Sequence, residues 1–179
     1  MSENDTVTTL FARLLGDAFD ALAPRVRALH LRDGARRYRG EVEVERGRGW
    51  LAVLCARATR LPPAGRGPIE VEIVADADGE RWTRHVAGHA MCSRLWAADG
   101  LLCERLGLVT FGFALDARDS AIEWRVVRVR ALGLPLPAHW FGAVAAREFE
   151  QDGRYHFDVR AALPLAGLLV RYRGWLDVD

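Results

Sequence analysis

The chain has 179 residues, a nearly balanced formal charge of +1, and a composition that is half hydrophobic. This length predicts one domain spanning residues 1–179, with enough apolar content for a sizeable core. The balanced charge excludes a global basic field for nucleic acid, so no nucleic-acid partner is expected. All residues counted as Lys or Arg are arginine, which excludes lysine Schiff bases and a P-loop lysine.

Cofactor and metal signatures are missing from the sequence. The three cysteines are widely spaced without a CxxC pair, which argues against a disulfide framework and a structural zinc site. His85 and His89 lie four residues apart in a strand-and-turn context, which separates them by about 13 Å. No GxGxxG precedes a helix, so a dinucleotide site is not supported. We therefore expect no cofactor and no metal.

The first residues are polar and slightly acidic, without the basic and apolar regions of a signal peptide. No apolar run approaches the roughly 18 residues that a membrane-spanning helix needs. These features predict a soluble cytoplasmic protein without a membrane span.

Residues 1–34 form a predicted helical segment that packs on a sheet. Thr8 or Thr9 can cap its first helix, whose apolar residues recur at helical spacing. The pattern comprises Leu10, Phe11, Leu14, Leu15, Ala18, Phe19 and Leu22. Pro24 either ends this helix or begins a second short one, and the Asp33-Gly34 dipeptide closes the segment.

The rest of the chain has mostly strand periodicity. A strand is predicted over Arg36–Glu45, followed by a helix over Trp50–Leu61 that ends at a Pro-Pro pair. From Ile69 onward, short alternating segments are separated by tight-turn signals such as Asp78-Gly79. A phase slip near Val126–Val127 predicts a β-bulge.

The C-terminal third is predicted to contain a β-hairpin around Asp152-Gly153, a pair that tolerates positive φ. After this turn, Tyr155, Phe157 and Val159 alternate with polar residues, as in a strand with one buried face. The whole pattern predicts an α+β fold. It is a curved antiparallel sheet or barrel-like half-shell of about nine or ten strands, with an N-terminal helix and a helix after the first strand.

Two groups of residues are candidate sites. Glu148, His156 and Asp158 lie on the two arms of the hairpin, where a histidine between carboxylates can act as an acid or base. The other group combines aromatic rings with arginine, a pattern suited to an apolar molecule with a polar end. Its members are Trp82, Arg84, Phe111, Phe113, Trp124 and Tyr172. His30 and His139 are interpreted as ordinary surface or edge histidines.

Three stretches carry a resemblance: ERWTRHVAG, WRVVRVRALGLPLP and EFEQDGRYHFDVRAALPLAGLLVRYRGWL. With them the chain resembles the bacterial domain of unknown function 4166 family over nearly all residues after about Leu10. The resemblance implies an independently folding bacterial module that stands alone or is appended to a larger protein, including reductase-like ones. It implies no activity and no functional residue.

Three functions remain open at this point. The leading one is a module that binds a small apolar or amphiphilic ligand inside the curved sheet, with arginine at the ligand's polar end. One alternative is a barrel enzyme that uses the His156–carboxylate group. The other is an accessory interaction module that associates with a reductase-like partner through an exposed apolar patch.

Overall fold

A computed structural model describes residues 9–31, 34–59 and 61–178. These residues form three α-helices, α1 (Leu10–Leu15), α2 (Pro24–His30) and α3 (Trp50–Ala58), and two 3-10 helices, Gly16–Ala21 and Ala138–Phe141. The strands are β1 (Gly34–Arg46), β2 (Gly65–Asp76), β3 (Gly79–Val86), β4 (His89–Ala98), β5 (Leu101–Leu106), β6 (Val109–Arg118), β7 (Ala121–Ala131), β8 (Leu134–Leu136), β9 (Ala145–Gln151), β10 (Arg154–Leu163) and β11 (Gly167–Leu176). No helix in the described ranges has the length and apolar character needed to cross a membrane.

The strands form a closed antiparallel barrel rather than an open sheet. Their order is β6-β5-β4-β3-β2-β1-β11-β10-β9-β7, and β6 also pairs with β7 to complete the ring. The short β8 pairs only with the end of β7. The prediction of antiparallel strands and of about nine or ten of them is therefore confirmed. The structure differs from a half-shell in that the sheet closes into a ring. Closure removes the two unpaired edges that a half-shell would leave.

Several local predictions are confirmed within this barrel. Gly112 pairs with Arg128 and Phe113 with Val126, which leaves Val127 as the extra residue of a bulge. Asp152 and Gly153 have φ values of 51° and 72°, as a two-residue hairpin turn requires. The predicted helix over Trp50–Leu61 begins as expected and ends earlier, at Ala58.

The N-terminal helices close one end of the barrel. Pro24 occupies the first turn of α2, so it begins a second helix rather than only ending the first. Phe11 and Val26 are fully buried against the barrel interior. The backbone N–H of Ala23 donates to the Ser120 carbonyl in the β6–β7 turn at 2.9 Å. Thr9 caps α1 without a side-chain hydrogen bond, whereas Thr8 and Asp33 lie outside the described residues.

The alternating strand directions give the barrel two different ends. The base is the end that carries the β2–β3, β4–β5, β6–β7 and β9–β10 turns, and α1 and α2 cover it. The mouth is the opposite end, which carries α3, the β3–β4, β5–β6 and β10–β11 turns, and the segment between β7 and β9.

Backbones approach closely where β1 meets β11. A Cβ built on Gly40 would lie 1.8 Å from the Trp175 carbonyl oxygen. We expect Gly40→Ala to lower the free energy of unfolding by about 1–3 kcal/mol, because the strands must separate to admit the methyl group. Gly67→Ala on β2 is the matched control, since a Cβ there has nothing within 4 Å. Chemical denaturation measures both, and equal stabilities for the two variants would contradict the expectation.

Candidate functional site

A cavity of about 410 Å³ occupies the barrel interior. Its walls are mainly apolar side chains from the strands, and α3 and the Ala138–Phe141 helix contribute residues where it approaches the mouth. All six residues predicted to face a ligand line this cavity: Trp82, Arg84, Phe111, Phe113, Trp124 and Tyr172. Strand alternation brings them together, because residues two apart on one strand share a face and these six all face the interior.

Arg84 is the cation of the cavity wall. Its Nη1 donates to Ser93 Oγ at 2.9 Å, and its Nη2 lies 3.5 Å from Glu104 Oε1. The guanidinium also lies over the Trp82 ring, 4.9 Å from the ring centroid, a favourable cation–π geometry. The Arg84 charge is thus already matched by a neighbouring buried carboxylate.

Two tyrosines supply hydroxyl groups beside this pair. Burial raises the pKa of Tyr172 to about 12. Burial, together with the nearby Glu148 carboxylate, raises the pKa of Tyr155 well above its ordinary value. Both phenols therefore stay protonated at neutral pH and can each donate one hydrogen bond. Tyr155 uses its hydroxyl in a hydrogen bond with Glu148.

A buried hydrogen-bonded pair connects the helical cover to the barrel. His30 Nε2 of α2 lies 2.6 Å from Glu148 Oε2 of β9, and both side chains are at most 5% exposed. The His30 ring stacks on Phe11 with the ring centroids 3.7 Å apart. The interpretation of His30 as a surface or edge histidine is wrong, because α2 turns this side chain into the barrel. His139, in contrast, is exposed as expected.

A third carboxyl group, Glu80, lies near the same end of the cavity. The Trp82 indole N–H donates to Glu80 Oε2 at 2.7 Å. Burial raises the pKa of Glu80, while the nearby His30 opposes that rise. The polar part of the interior therefore contains three carboxyl groups, one guanidinium and one imidazole.

The three candidate acid–base residues are not brought together. Glu148 points into the barrel, whereas His156 and Asp158 lie on the outer face of β10. The His156 ring stacks on Phe149, with centroids 5.4 Å apart, and partial burial lowers the pKa of His156. Asp158 accepts two hydrogen bonds from Arg171, at 3.1 and 2.7 Å. The predicted catalytic cluster therefore does not form.

Sequence reasoning missed the buried environments of four interior residues, Glu148, His30, Glu80 and Glu104. The signal for Glu148 was present: a two-residue turn at Asp152-Gly153 pairs Glu148 with Phe157, as observed. Directly opposed residues share one face of a sheet, so an inward Phe157 requires an inward Glu148. No comparable local signal identifies His30, because only the tertiary position of α2 buries it.

Within residues 9–31, 34–59 and 61–178, no group of three or more His, Cys, Asp or Glu side chains is arranged to hold a metal ion.

Comparisons with known proteins place the chain in a family. None of the curated protein sequences compared with the chain matches it. A solved structure, titled "Crystal Structure of Rv2717c from M. tuberculosis", is similar at a TM-score of 0.44 and 11% sequence identity, covering 88% of this chain and 99% of that one. The profile of the family described as "Domain of unknown function (DUF4166)" matches residues 22–176. The resemblance noted in the sequence is thereby confirmed, and the chain belongs to the DUF4166 family.

Proposed function

We propose that the barrel binds one small, mainly apolar molecule in its cavity. The observation that carries this proposal is the volume of about 410 Å³ enclosed by mainly apolar walls. Cavities of roughly 300–1,000 Å³ with apolar walls and a few polar groups are typical of small-molecule sites.

The polar end of the ligand meets Arg84 and Tyr172, whose N–H and O–H groups can donate hydrogen bonds. We propose that this end is an uncharged oxygen, such as a hydroxyl or carbonyl group, rather than a carboxylate. Glu104 already balances Arg84, and Glu148 and Glu80 add two more carboxyl groups nearby. An anionic ligand would have to enter this low-dielectric interior beside those carboxylates, which is unfavourable.

The ligand enters through the mouth, because α1 and α2 cover the base. Cys55 and Thr59 of the α3 region and Trp140 of the 3-10 helix line the cavity at the mouth. Displacement of these short elements would admit a ligand without breaking a strand pair of the ring.

A matched pair of fluorescent probes tests this proposal. N-phenyl-1-naphthylamine is uncharged, and 1-anilinonaphthalene-8-sulfonate has the same ring system with a sulfonate group. We expect the neutral probe to bind at one site per chain, with an affinity at least about tenfold higher than that of the sulfonate, a difference of about 1.4 kcal/mol. Titration of the purified chain measures both affinities.

Two outcomes would contradict different parts of the proposal. Absence of saturable binding of either probe would remove the cavity as a binding site for apolar molecules of this size. Tighter binding of the sulfonate would show instead that the ligand's polar end is anionic. Native mass spectrometry of the chain purified from its host then identifies any molecule that occupies the cavity.

The two alternative functions have less support. The acid–base enzyme loses its proposed residues, since His156 and Asp158 lie outside the cavity that Glu148 lines. Association with a reductase-like partner stays a prediction from the family resemblance. Binding of an apolar molecule is the function that the interior supports best.

A further inference from the structure

The mouth carries large apolar side chains that contact water. On α3, Trp50 is 76% exposed, and Val53 and Leu54 are also exposed. This helix is short, and the barrel covers only part of its apolar surface, so the rest contacts water. Singly exposed apolar residues are ordinary on protein surfaces, but a contiguous group marks an interaction site.

The other connections at the mouth add to this group. Leu108 lies in the β5–β6 turn, Leu132 follows β7, Trp140 lies in the 3-10 helix, and Leu165 lies in the β10–β11 turn. All four are exposed, and Leu165 is 91% exposed. These exposed side chains form the apolar rim, which comprises Trp50, Val53, Leu54, Leu108, Leu132, Leu134, Trp140 and Leu165. Within the described residues, Leu31 is the one large exposed apolar side chain outside the rim.

Charge is distributed unequally between the two ends of the barrel. Each strand-to-strand turn at the base contains an aspartate: Asp78, Asp99, Asp119 and Asp152. The connections at the mouth, residues 47–64, 87–88, 107–108, 132–144 and 164–166, contain no Asp or Glu. The strand-to-strand turns at the base thus carry aspartates, whereas the connections at the mouth carry no acidic residue.

Arginines surround the apolar rim. Arg48 precedes α3 and Arg57 lies within it. Arg105 and Arg130 lie at the mouth ends of β5 and β7. All four are exposed, and none forms an ion pair with a carboxylate in the part of the chain that the structure describes. Their positive charge is therefore available to an anionic surface.

We propose that the apolar rim docks the barrel, mouth first, onto an anionic lipid surface. The rim side chains would enter the headgroup region and the arginines would contact lipid phosphates, as in other interfacial proteins. Tryptophan at the rim fits this depth, because its ring is apolar and its N–H is polar. The mouth would then face the membrane, from which an apolar ligand can pass directly into the cavity. This inference goes beyond the proposed function, and the docking itself does not depend on it.

The shape and charge of the mouth favour a lipid surface over a second copy of the chain. The rim residues lie on separate connections around one opening, so a deformable surface can contact all of them at once. Two copies docked mouth to mouth would bring two groups of unpaired arginines together, which is repulsive. An anionic bilayer supplies both the apolar environment and the opposite charge.

Vesicle flotation with the purified chain tests this proposal. We expect binding to vesicles of equal parts phosphatidylcholine and phosphatidylglycerol, weaker binding at high salt, and little binding to phosphatidylcholine alone. Leu165→Asp and Trp50→Asp should each reduce the bound fraction at least about tenfold, because each places a carboxylate in the apolar rim. Leu31→Asp is the matched control, since it changes an exposed leucine at the base, and it should bind as the original chain does.

Three results would overturn docking on lipid. They are no flotation of the original chain, equal loss in the Leu31→Asp control, and a concentration-dependent dimer that Leu165→Asp disrupts in the absence of vesicles. Probe binding without vesicles separates this inference from the proposed function. Leu165→Asp should still bind N-phenyl-1-naphthylamine, so flotation and cavity binding can fail independently.

Discussion

Replacing His30 with phenylalanine is expected to lower the free energy of unfolding by about 3 kcal/mol. The new ring can keep the stacking on Phe11 but removes the hydrogen bond between His30 and the buried Glu148 carboxyl group. Leaving a buried polar group without such a bond typically costs about 1–3 kcal/mol, and more for a charged group. His30 Nδ1 has no hydrogen-bond partner among the residues that the structure describes, and removing this buried polar atom offsets part of the loss.

Chemical denaturation of His30→Phe and of the double variant His30→Phe/Glu148→Gln measures this effect. The glutamine still accepts the Tyr155 hydrogen bond but carries no charge, so the double variant should regain most of the lost stability. A single variant within about 1 kcal/mol of the original chain would show that this pair contributes little to holding α2 in the base.

Ala146→Trp is expected to reduce the affinity for N-phenyl-1-naphthylamine by at least about tenfold, or 1.4 kcal/mol. Ala146 lies on β9 opposite Trp124 and lines the cavity. An indole at this position occupies space that the probe would otherwise fill. The same titration used for the two probes measures the effect.

Ala90→Trp provides the matched control, because Ala90 is exposed on the outer face of β4. Its probe affinity should equal that of the original chain, and both variants should unfold cooperatively. Unchanged binding by a folded Ala146→Trp variant would place the probe outside the cavity.

Local features of the fold could be predicted from the sequence because nearest neighbours determine them. The hairpin at Asp152-Gly153 depends on two residues that adopt positive φ. The bulge at Val127 follows from a change of phase along β7 itself. Alternation in β10 indicated one buried face, and the structure shows that Tyr155 and Phe157 lie on it.

Closure of the barrel was beyond sequence reasoning because it depends on remote pairings. Glu43 of β1 pairs with Arg173 of β11, 130 residues away. No alternation within either strand specifies this partner, and an open curved sheet has the same local pattern. The distinction between half-shell and barrel lies entirely in such contacts.

The six residues proposed to contact a ligand all line the cavity, since alternation within their strands directs each of them inward. Their contact with a ligand stays a prediction. The predicted acid–base group does not form because Glu148 and His156 lie on opposite faces of the hairpin. The β9–β10 register pairs His156 with Phe149 on the outer face. The buried partner of Glu148 comes from α2, a helix whose docking position its own sequence does not encode.

The pairing of β1 with β11 also determines when the barrel can close during synthesis. The ring lacks two of its strand pairs, β1–β11 and β10–β11, until the strand Gly167–Leu176 has left the ribosome. Until then, β1 and β10 each present an unpaired edge to other nascent chains. A chain truncated before β11 would keep both edges unpaired. We therefore expect shortened chains to aggregate rather than form a smaller barrel.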